Sequence, residues 1–303
     1  MKKILATGCG GMLGKAIYDV FSKDFELRGT ATDIDVNDSW LSYLDVRDYG
    51  AVRKAVEEFK PDMIFHLAAL TDLEYCEKNP DEAYRTNAIG TENVALLAKE
   101  LKIPMVYIST AGIFDGTKHV YDDYDTPNPL SHYGRSKYMG ELFVKTTLDK
   151  FFVFRAGWMM GSGAKDKKFI PKIINQIKEG KTELKAIDDI FGTPTYTYDL
   201  AKNIREVIKT PYYGVYNMVC NGGAVSRYEV TAEILKILGL TEKIKLTSVP
   251  TSYFDGTFFA PRPPSEAMIN RKLTLRGLNL MRDWRKCLKE YLEQDWKEFF
   301  NKK

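Results

Sequence analysis

In the first half of the chain, short runs of apolar and β-branched residues alternate with longer stretches whose apolar positions recur at helical spacing. The runs Lys2–Thr7, Leu27–Thr32, Met63–Ala69, Pro104–Thr110 and Phe151–Trp158 read as strands. Strands separated by amphipathic helices predict a doubly wound α/β domain, a parallel sheet covered by helices on both faces. One helix announces its own start. Asn79-Pro80-Asp81-Glu82 offers an N-cap, a proline at the first helical position and two acids at the positive end of the dipole, and the helix should run to about Leu101.

After Trp158 the alternation fails. Residues 161–168 read as a glycine- and lysine-rich loop, and Phe169, Ile170, Ile173, Ile174 and Ile177 then mark one face of a helix. A helix starting near Tyr198 and a strand near Val215–Cys220 look like the end of the sheet domain. Ser226-Arg-Tyr-Glu229 is a capping box opening a helix that Gly239 closes. Ala260–Pro264 reads as an extended loop, and a last amphipathic helix spans about Asp283–Phe299. The expected organisation is a sheet domain over residues 1–160, completed by about 193–220, with residues 161–192 and 221–303 forming a smaller C-terminal lobe.

Composition narrows the class. The chain has 303 residues, 44% hydrophobic and 28% charged, which excludes wholesale disorder. A chain of this size buries roughly three-quarters of its unfolded surface and needs no staples. Its 44 Lys and Arg against 41 Asp and Glu are scattered, so no nucleic-acid stripe is expected. Cys9, Cys76, Cys220 and Cys287 form no CxxC pair, and only three histidines are present. Neither a disulfide scaffold nor a metal centre is expected. The apolar run near the N-terminus is too short for a signal peptide or a membrane span, so a cytoplasmic protein without membrane contact is expected.

The strongest chemical signal is Thr7-Gly8-Cys9-Gly10-Gly11-Met12-Leu13-Gly14, directly after the first strand and opening a helix. Glycines at 8, 11 and 14 fit a dinucleotide turn: a tight bend at Gly8, backbone approach to a pyrophosphate at Gly11, and close helix–sheet packing at Gly14. Met12 and Leu13 join the cofactor set. That makes the sheet domain Rossmann-type. Asp33 lies 19 residues after Gly14, where an acid would hold the adenosine ribose; Asp35 competes with it. Asp45-Val46 precedes the next helix, and Asp45 is a candidate for the adenine. The second constellation is Tyr133-Gly-Arg-Ser-Lys137. Positions i and i+4 share a helix face, and a lysine cation beside a phenol would lower its pKa toward neutrality. Ile108-Ser109-Thr110 ends the preceding strand, where a hydroxyl can hold a substrate oxygen.

Gly8, Gly11, Gly14, Thr110, Tyr133 and Lys137 together resemble the extended short-chain dehydrogenase/reductase family. Ala68-Ala69-Leu-Thr71-Asp72-Leu73-Glu74, Phe191-Gly-Thr-Pro194-Thr195 with Asp199-Leu-Ala201, and Arg262-Pro263-Pro-Ser265 resemble its dTDP-4-dehydrorhamnose reductases. The likeness runs from residue 2 to about 295. It implies that Thr110, Tyr133 and Lys137 are catalytic. It also implies that Ala68, Ala69, Thr71 and Asn87 line the cofactor and active-site cleft, and that Trp158 faces the sugar. Arg262, in a proline-stiffened loop, is the phosphate candidate. Lys165, Lys167 and Lys168 meet either a diphosphate or only solvent. The activity implied is reduction of a 4-keto-deoxysugar nucleotide by NADH or NADPH, with NADH favoured because Asp33 repels a 2′-phosphate and no arginine follows it. Alternatives are a sugar-nucleotide 4-epimerase that retains its NAD and a non-catalytic regulatory subunit. The partner is a nucleotide sugar, with room for a homodimer. Those reductases carry Asp-Tyr after the catalytic Thr, whereas here Ala111-Gly112 follow, and Asp189-Ile-Phe-Gly192 replaces their Asp-Gln-x-Gly. These departures bear on the sugar rather than on the reaction. Family dehydratases carry Asp-Glu at the same place, so dehydration is not expected. Asp115 reads as part of an Asp-Gly turn, and His66 as a packed core residue.

Overall fold

The computed structural model describes residues 1–34, 39–254 and 256–300. Its centre is a sheet built from β1 (Lys2–Thr7), β2 (Phe25–Ala31), β3 (Leu41–Tyr43), β4 (Met63–His66), β5 (Met105–Thr110), β6 (Phe151–Ala156) and the strand Gly214–Asn217. From one edge the order is Gly214–Asn217, β6, β5, β4, β1, β2, β3, and every neighbouring pair is parallel. Strand order reverses between β1 and β4. A crevice therefore opens beyond the carboxyl ends of those strands, where ligands bind in open α/β sheets.

The alternation of side chains along each strand splits the core in two. Ile4, Ala6, Phe152 and Phe154 point to one face and pack with Ile17 and Phe21 of α1 (Met12–Phe21) and with Leu200 and Ile204 of the helix Thr197–Val207. Leu5 and Val153 point to the other face. There they meet Val52 and Val56 of α2 (Tyr49–Phe59), Val94 and Leu97 of α5 (Gly90–Glu100), and Val144 of α6 (His132–Thr147). Burial on both faces is why these strands read as nearly continuous apolar runs.

Several elements differ from the expectation. β4 stops at His66, and β6 stops at Ala156; after Gly157 the chain starts a separate parallel pair, Trp158–Met160 with Pro194–Tyr196. The edge strand β3 has no sequence signal, since Leu-Ser-Tyr is too short and too polar to form a run. The helix expected over 79–101 is interrupted: α4 (Pro80–Tyr84) passes through a π-helical turn, Arg85–Ile89, into α5. Asn79 does not cap it by its side chain. A short helix α3 (Leu73–Lys78) ends there, and the Asn79 amide donates back to the Tyr75 carbonyl at 3.0 Å. The capping box forms as expected, with both reciprocal bonds between Ser226 and Glu229, and Gly239 takes φ +67° past that helix's end. The last helix is Trp284–Asp295, followed by one 3-10 turn.

The remaining pieces form a lobe over the crevice: Lys245–Val249 pairs with Glu183–Ile187, and Val225–Ser226 with Phe191–Gly192. Ile234, Trp284 and Leu288 of this part belong to the same buried cluster as α1 and β6, so lobe and sheet share one core. Among the described residues no helix is long and apolar enough to cross a membrane.

Candidate active site

The crevice is a cleft of about 1660 Å³, and the described residues expected at the cofactor, the catalytic centre or the substrate line it, except Gly14 and Asn87. Asp35 lies outside the described residues. Drug-sized pockets run to about 1,000 Å³, so this cleft has room for two ligands side by side.

At its floor the glycine turn is required by close approaches. Gly8 takes φ +73°, and a Cβ there would lie 2.3 Å from the Ala68 backbone. Gly14 packs α1 onto the turn, its Cβ position falling 1.9 Å from the Cys9 carbonyl. The spacing argument missed Gly10, whose Cβ would sit 2.4 Å from the Asp33 carbonyl oxygen. Gly11 differs from all three: its added Cβ would meet only the Gly8 carbonyl, at 3.5 Å. Gly11 is also the N-cap of α1, with no side chain capping the helix, so Met12 and Leu13 offer backbone N–H groups at its positive end. This is a seat for a pyrophosphate, and the residues present fit a dinucleotide.

Where the adenosine is expected, Ala31 pairs with Tyr43, so Asp33 and the Asp45–Arg47 segment emerge side by side from β2 and β3. The Asp45 carboxylate is committed: it accepts from Arg47 Nε at 3.0 and 2.9 Å, from Nη2 at 2.6 Å and from the Arg47 backbone at 2.9 Å. Those contacts hold its pKa down. Arg47 also lines the cleft, placing beside Asp33 an arginine that the sequence did not associate with it.

The residues expected to be catalytic are brought together by α6 and the end of β5. Ser131 caps α6 through the Gly134 N–H, and Gly134 lets the helix ride close to the Gly112 carbonyl, its Cβ position lying 2.2 Å away. Thr110 Oγ1 accepts the Gly112 N–H at 3.1 Å, which leaves its own proton to donate. A Cβ on Gly112 would lie 3.5 Å from Thr110 Oγ1 and 3.4 Å from the Tyr133 ring, so hydroxyl and phenol flank the same point of the cleft. The lysine does not act on the phenol as the spacing implied. Lys137 is buried, donates to the Ile108 carbonyl at 2.7 Å and lies 4.2 Å from the centre of the Tyr107 ring. Burial pushes Tyr133 up to about 12, against the lowering effect of the Thr110 hydroxyl and with upward contributions from Glu266 and Cys76. Burial also brings Lys137 down to about 7, opposed by the charge of Glu141. Desolvation outweighs the expected attraction.

Ala68 and Ala69 follow β4 into the cleft, and Asn87 stands behind them. Fully buried, Asn87 accepts from the Leu70 N–H at 2.8 Å and donates to the Leu70 carbonyl and to Ser136 Oγ, both at 3.0 Å. It holds that wall in place instead of lining it. His66 is core, as expected, bridging Thr7 at 2.7 Å and Thr91 at 3.0 Å, and burial lowers it to about 3. Across the opening, Ser162 Oγ donates to the Met12 carbonyl and Lys168 Nζ reaches Thr71 at 3.1 Å, so the 161–168 loop straps the cleft from side to side. Lys165 and Lys167 line it as well.

At the lobe end, Trp158 is held from three directions. A Cβ on Gly192 would fall 2.2 Å from the indole, the Arg227 guanidinium lies 4.2 Å from its ring centre, and Glu266 accepts its N–H. Arg227 also lies 4.7 Å from the Phe169 ring centre, and no described residue accepts a hydrogen bond from it. Burial lowers it only to about 10, so it stays cationic. Sequence reading placed Arg227 only inside a capping box and missed it. Arg262, the expected phosphate ligand, pairs with Glu74 at 2.7 Å and donates to the Ala260 carbonyl at 3.0 Å. Asp115 accepts from Thr117, Tyr121 and Asn128, sits before Gly116 at φ +80°, and is held well below the usual carboxylate range. It is a turn residue.

A doubly wound sheet, a glycine turn at the strand-order reversal and a Thr–Tyr–Lys centre above it define an extended short-chain dehydrogenase/reductase. Within that class the chain belongs to the family described as RmlD substrate binding domain, whose model matches residues 1–296. It is 31% identical over 303 residues to the spore coat polysaccharide biosynthesis protein SpsK of Bacillus subtilis, covering 97% of this chain and 98% of that one. Among solved structures, a dTDP-4-dehydrorhamnose reductase from Clostridium acetobutylicum is 35% identical with a TM-score of 0.86, covering 96% of this chain and 98% of that one. Another, from Bacillus anthracis in complex with NADP, is 31% identical with a TM-score of 0.88, covering 97% and 100%.

Proposed function

We propose that this chain reduces the 4-keto group of a deoxyhexose carried on a nucleoside diphosphate, as its dTDP-4-dehydrorhamnose reductase relatives are named for, with NADH or NADPH. The observation that carries the reading is the Thr110–Tyr133 pair. Thr110, oriented by the Gly112 N–H, can donate a hydrogen bond to a carbonyl oxygen, and Tyr133 stands beside it as a phenol that burial keeps protonated. A protonated phenol is a donor, which carbonyl reduction requires. The reduced dinucleotide, when bound with its pyrophosphate at the glycine turn, would supply the hydride that the carbonyl carbon accepts. Tyr133 gives its proton to the oxygen, so ketone, hydride and proton become the alcohol. Lys137 lies one helical turn along and lines the cleft, where it would hold the cofactor ribose.

Gly8, Gly11, Met12, Leu13, Asp33, Asp45, Val46, Ala68 and Ala69 would contact the cofactor, and Thr71, Thr110, Trp158 and Arg262 the substrate. Arg227 joins them at the diphosphate, because a stacked guanidinium with open donors matches phosphate oxygens. The division into a cofactor domain (1–160 with 193–220) and a sugar lobe (161–192 and 221–303) belongs to the same proposal. So does a cytoplasmic location, supported by four buried free thiols. So does a homodimer, for which the exposed Ile89 and Leu96 beside and on α5, and Met139 and Leu142 on the adjacent α6, offer an apolar face.

The test is incubation with dTDP-4-keto-6-deoxyhexoses while NADH or NADPH loss is followed. Tyr133→Phe should bind cofactor and lose turnover by ~10²–10⁴-fold. Full turnover by that variant, or interconversion of 4-epimers without added cofactor, would overturn the reading.

A further inference from the structure

We infer that Glu266 reads the sugar: one carboxylate oxygen accepts a hydrogen bond from a ring hydroxyl of the hexose, so the chain selects hydroxylated over deoxygenated substrates. The inference rests on the proposed reduction of a nucleotide sugar and adds a specificity residue that the family resemblance does not supply.

Glu266 lines the same cleft as Tyr133, Thr110 and Trp158. Its Oε1 takes the indole N–H of Trp158, while its Oε2 takes no hydrogen bond from any described residue. Other carboxylates of the cleft are already engaged. Asp45 is held by Arg47, Asp72 caps the Tyr75 N–H at 2.8 Å, Glu74 pairs with Arg262, and Glu82 accepts the Tyr75 hydroxyl at 2.7 Å. Asp33 stands at the far, adenosine end. Among the described residues lining the cleft, Glu266 is therefore the carboxylate with an open lone pair at the sugar end, and its charge is felt by both the Tyr133 phenol and Arg227.

The backbone around it is pinned, as a reading residue requires. The Glu266 N–H donates to the Phe191 carbonyl at 2.9 Å, Ser265 Oγ donates to the His119 carbonyl at 2.5 Å, and the Met268 N–H donates to Thr193 Oγ1 at 3.0 Å. The ligand it fits is a neutral donor. Arg227 and Arg262 already offset the carboxylate's charge, so an ammonium on the sugar would meet two cations as well as one anion. A half-buried acceptor left without its donor is unfavourable, which is how such a group rejects a substrate lacking the hydroxyl.

The experiment measures calorimetric affinities of dTDP-glucose and its 2-deoxy and 3-deoxy analogues for the wild type and for Glu266→Gln. The glutamine oxygen can keep the Trp158 N–H, which leaves an NH₂ in the cleft that cannot accept. Wild type should bind dTDP-glucose at least ~10-fold tighter than one of the analogues, and Glu266→Gln should compress that ratio to about 2-fold. Tryptophan emission should be unchanged in the variant. A ratio that survives in Glu266→Gln would mean that the residue only holds Trp158, and equal affinities in the wild type would also overturn the inference. If dTDP-sugars bind and 4-keto sugars are reduced yet the ratio does not move, this inference alone fails. If no dTDP-hexose binds, the proposed function fails with it.

Discussion

The Lys137 ammonium donates to the Ile108 carbonyl at 2.7 Å, on the strand side of α6, inside the core and not against the phenol one turn before it. Its burial lowers its pKa from 10.5 to about 7. Between those values the unfolded chain binds more protons than the folded one, so folding stability rises with pH across the window and that contribution is lost as pH falls through about 7. Lys137→Met removes the buried charge. Its stability relative to wild type should be highest near pH 6–7 and fall steadily toward pH 10, on top of a pH-independent offset from the lost bond to Ile108. Urea unfolding of both proteins across that range checks this; a difference that does not change with pH would refute it.

The glycine turn should separate folding from binding. Gly8→Ala forces a left-handed residue with its Cβ against Ala68 and should destabilise the protein by about 1–3 kcal/mol. Gly10→Ala should do likewise by pushing on the Asp33 carbonyl. Gly11→Ala meets nothing closer than 3.5 Å in the protein, so its melting temperature should stay near wild type while cofactor affinity drops at least ~10-fold, because the Cβ stands where a pyrophosphate must approach. Thermal melts with and without NADPH distinguish the three. A Gly11→Ala variant that binds normally would show that the pyrophosphate does not sit at this turn.

Cofactor choice should depend on Asp33 and Arg47 together. Asp33 alone favours NADH, but Arg47 emerges beside it and pairs with Asp45 at 2.6 Å. Arg47→Ala should therefore lower kcat/KM for NADPH by about 10-fold and leave NADH within about 2-fold, while Asp33→Asn should move the ratio toward NADPH. Equal losses with both cofactors in Arg47→Ala would assign that residue to Asp45 alone.

Much of this was legible in the residues. The parallel sheet was readable because its strands are buried on both faces and therefore apolar throughout, and the Ser226 capping box because two local bonds define it. The glycine turn and the Tyr133–Lys137 spacing located the cleft. What escaped depends on contacts between distant segments. β3 exists only because Leu41–Tyr43 adds to β2, Gly10 matters only where the Asp33 carbonyl passes over it, and Asn87 works from behind a loop 17 residues away. The phenol–lysine reading failed for a related reason: spacing on a helix reports a shared face, but not that the face is dry enough for desolvation to dominate.

Arg227 is the sharpest remaining test, because nothing in its local sequence marks it. Its guanidinium lies over Trp158 and Phe169 with its donors open to the cleft, while Arg262 nearby spends its own on Glu74 and Ala260. Contact with two rings holds the group in position and leaves its N–H donors for a ligand, an arrangement that suits a diphosphate. A hydrogen bond to a charged group contributes about 1.5–3 kcal/mol, so Arg227→Ala should raise KM for the nucleotide sugar by ~10–100-fold with a smaller change in kcat. Arg227→Lys keeps the charge and loses the planar stack, and should recover only part of the difference. KM for the cofactor should not move in either variant. If Arg227→Ala instead raises KM for NADPH and leaves the sugar nucleotide unaffected, the two ligands occupy the cleft in the opposite sense, and the assignment of the lobe to the sugar is wrong.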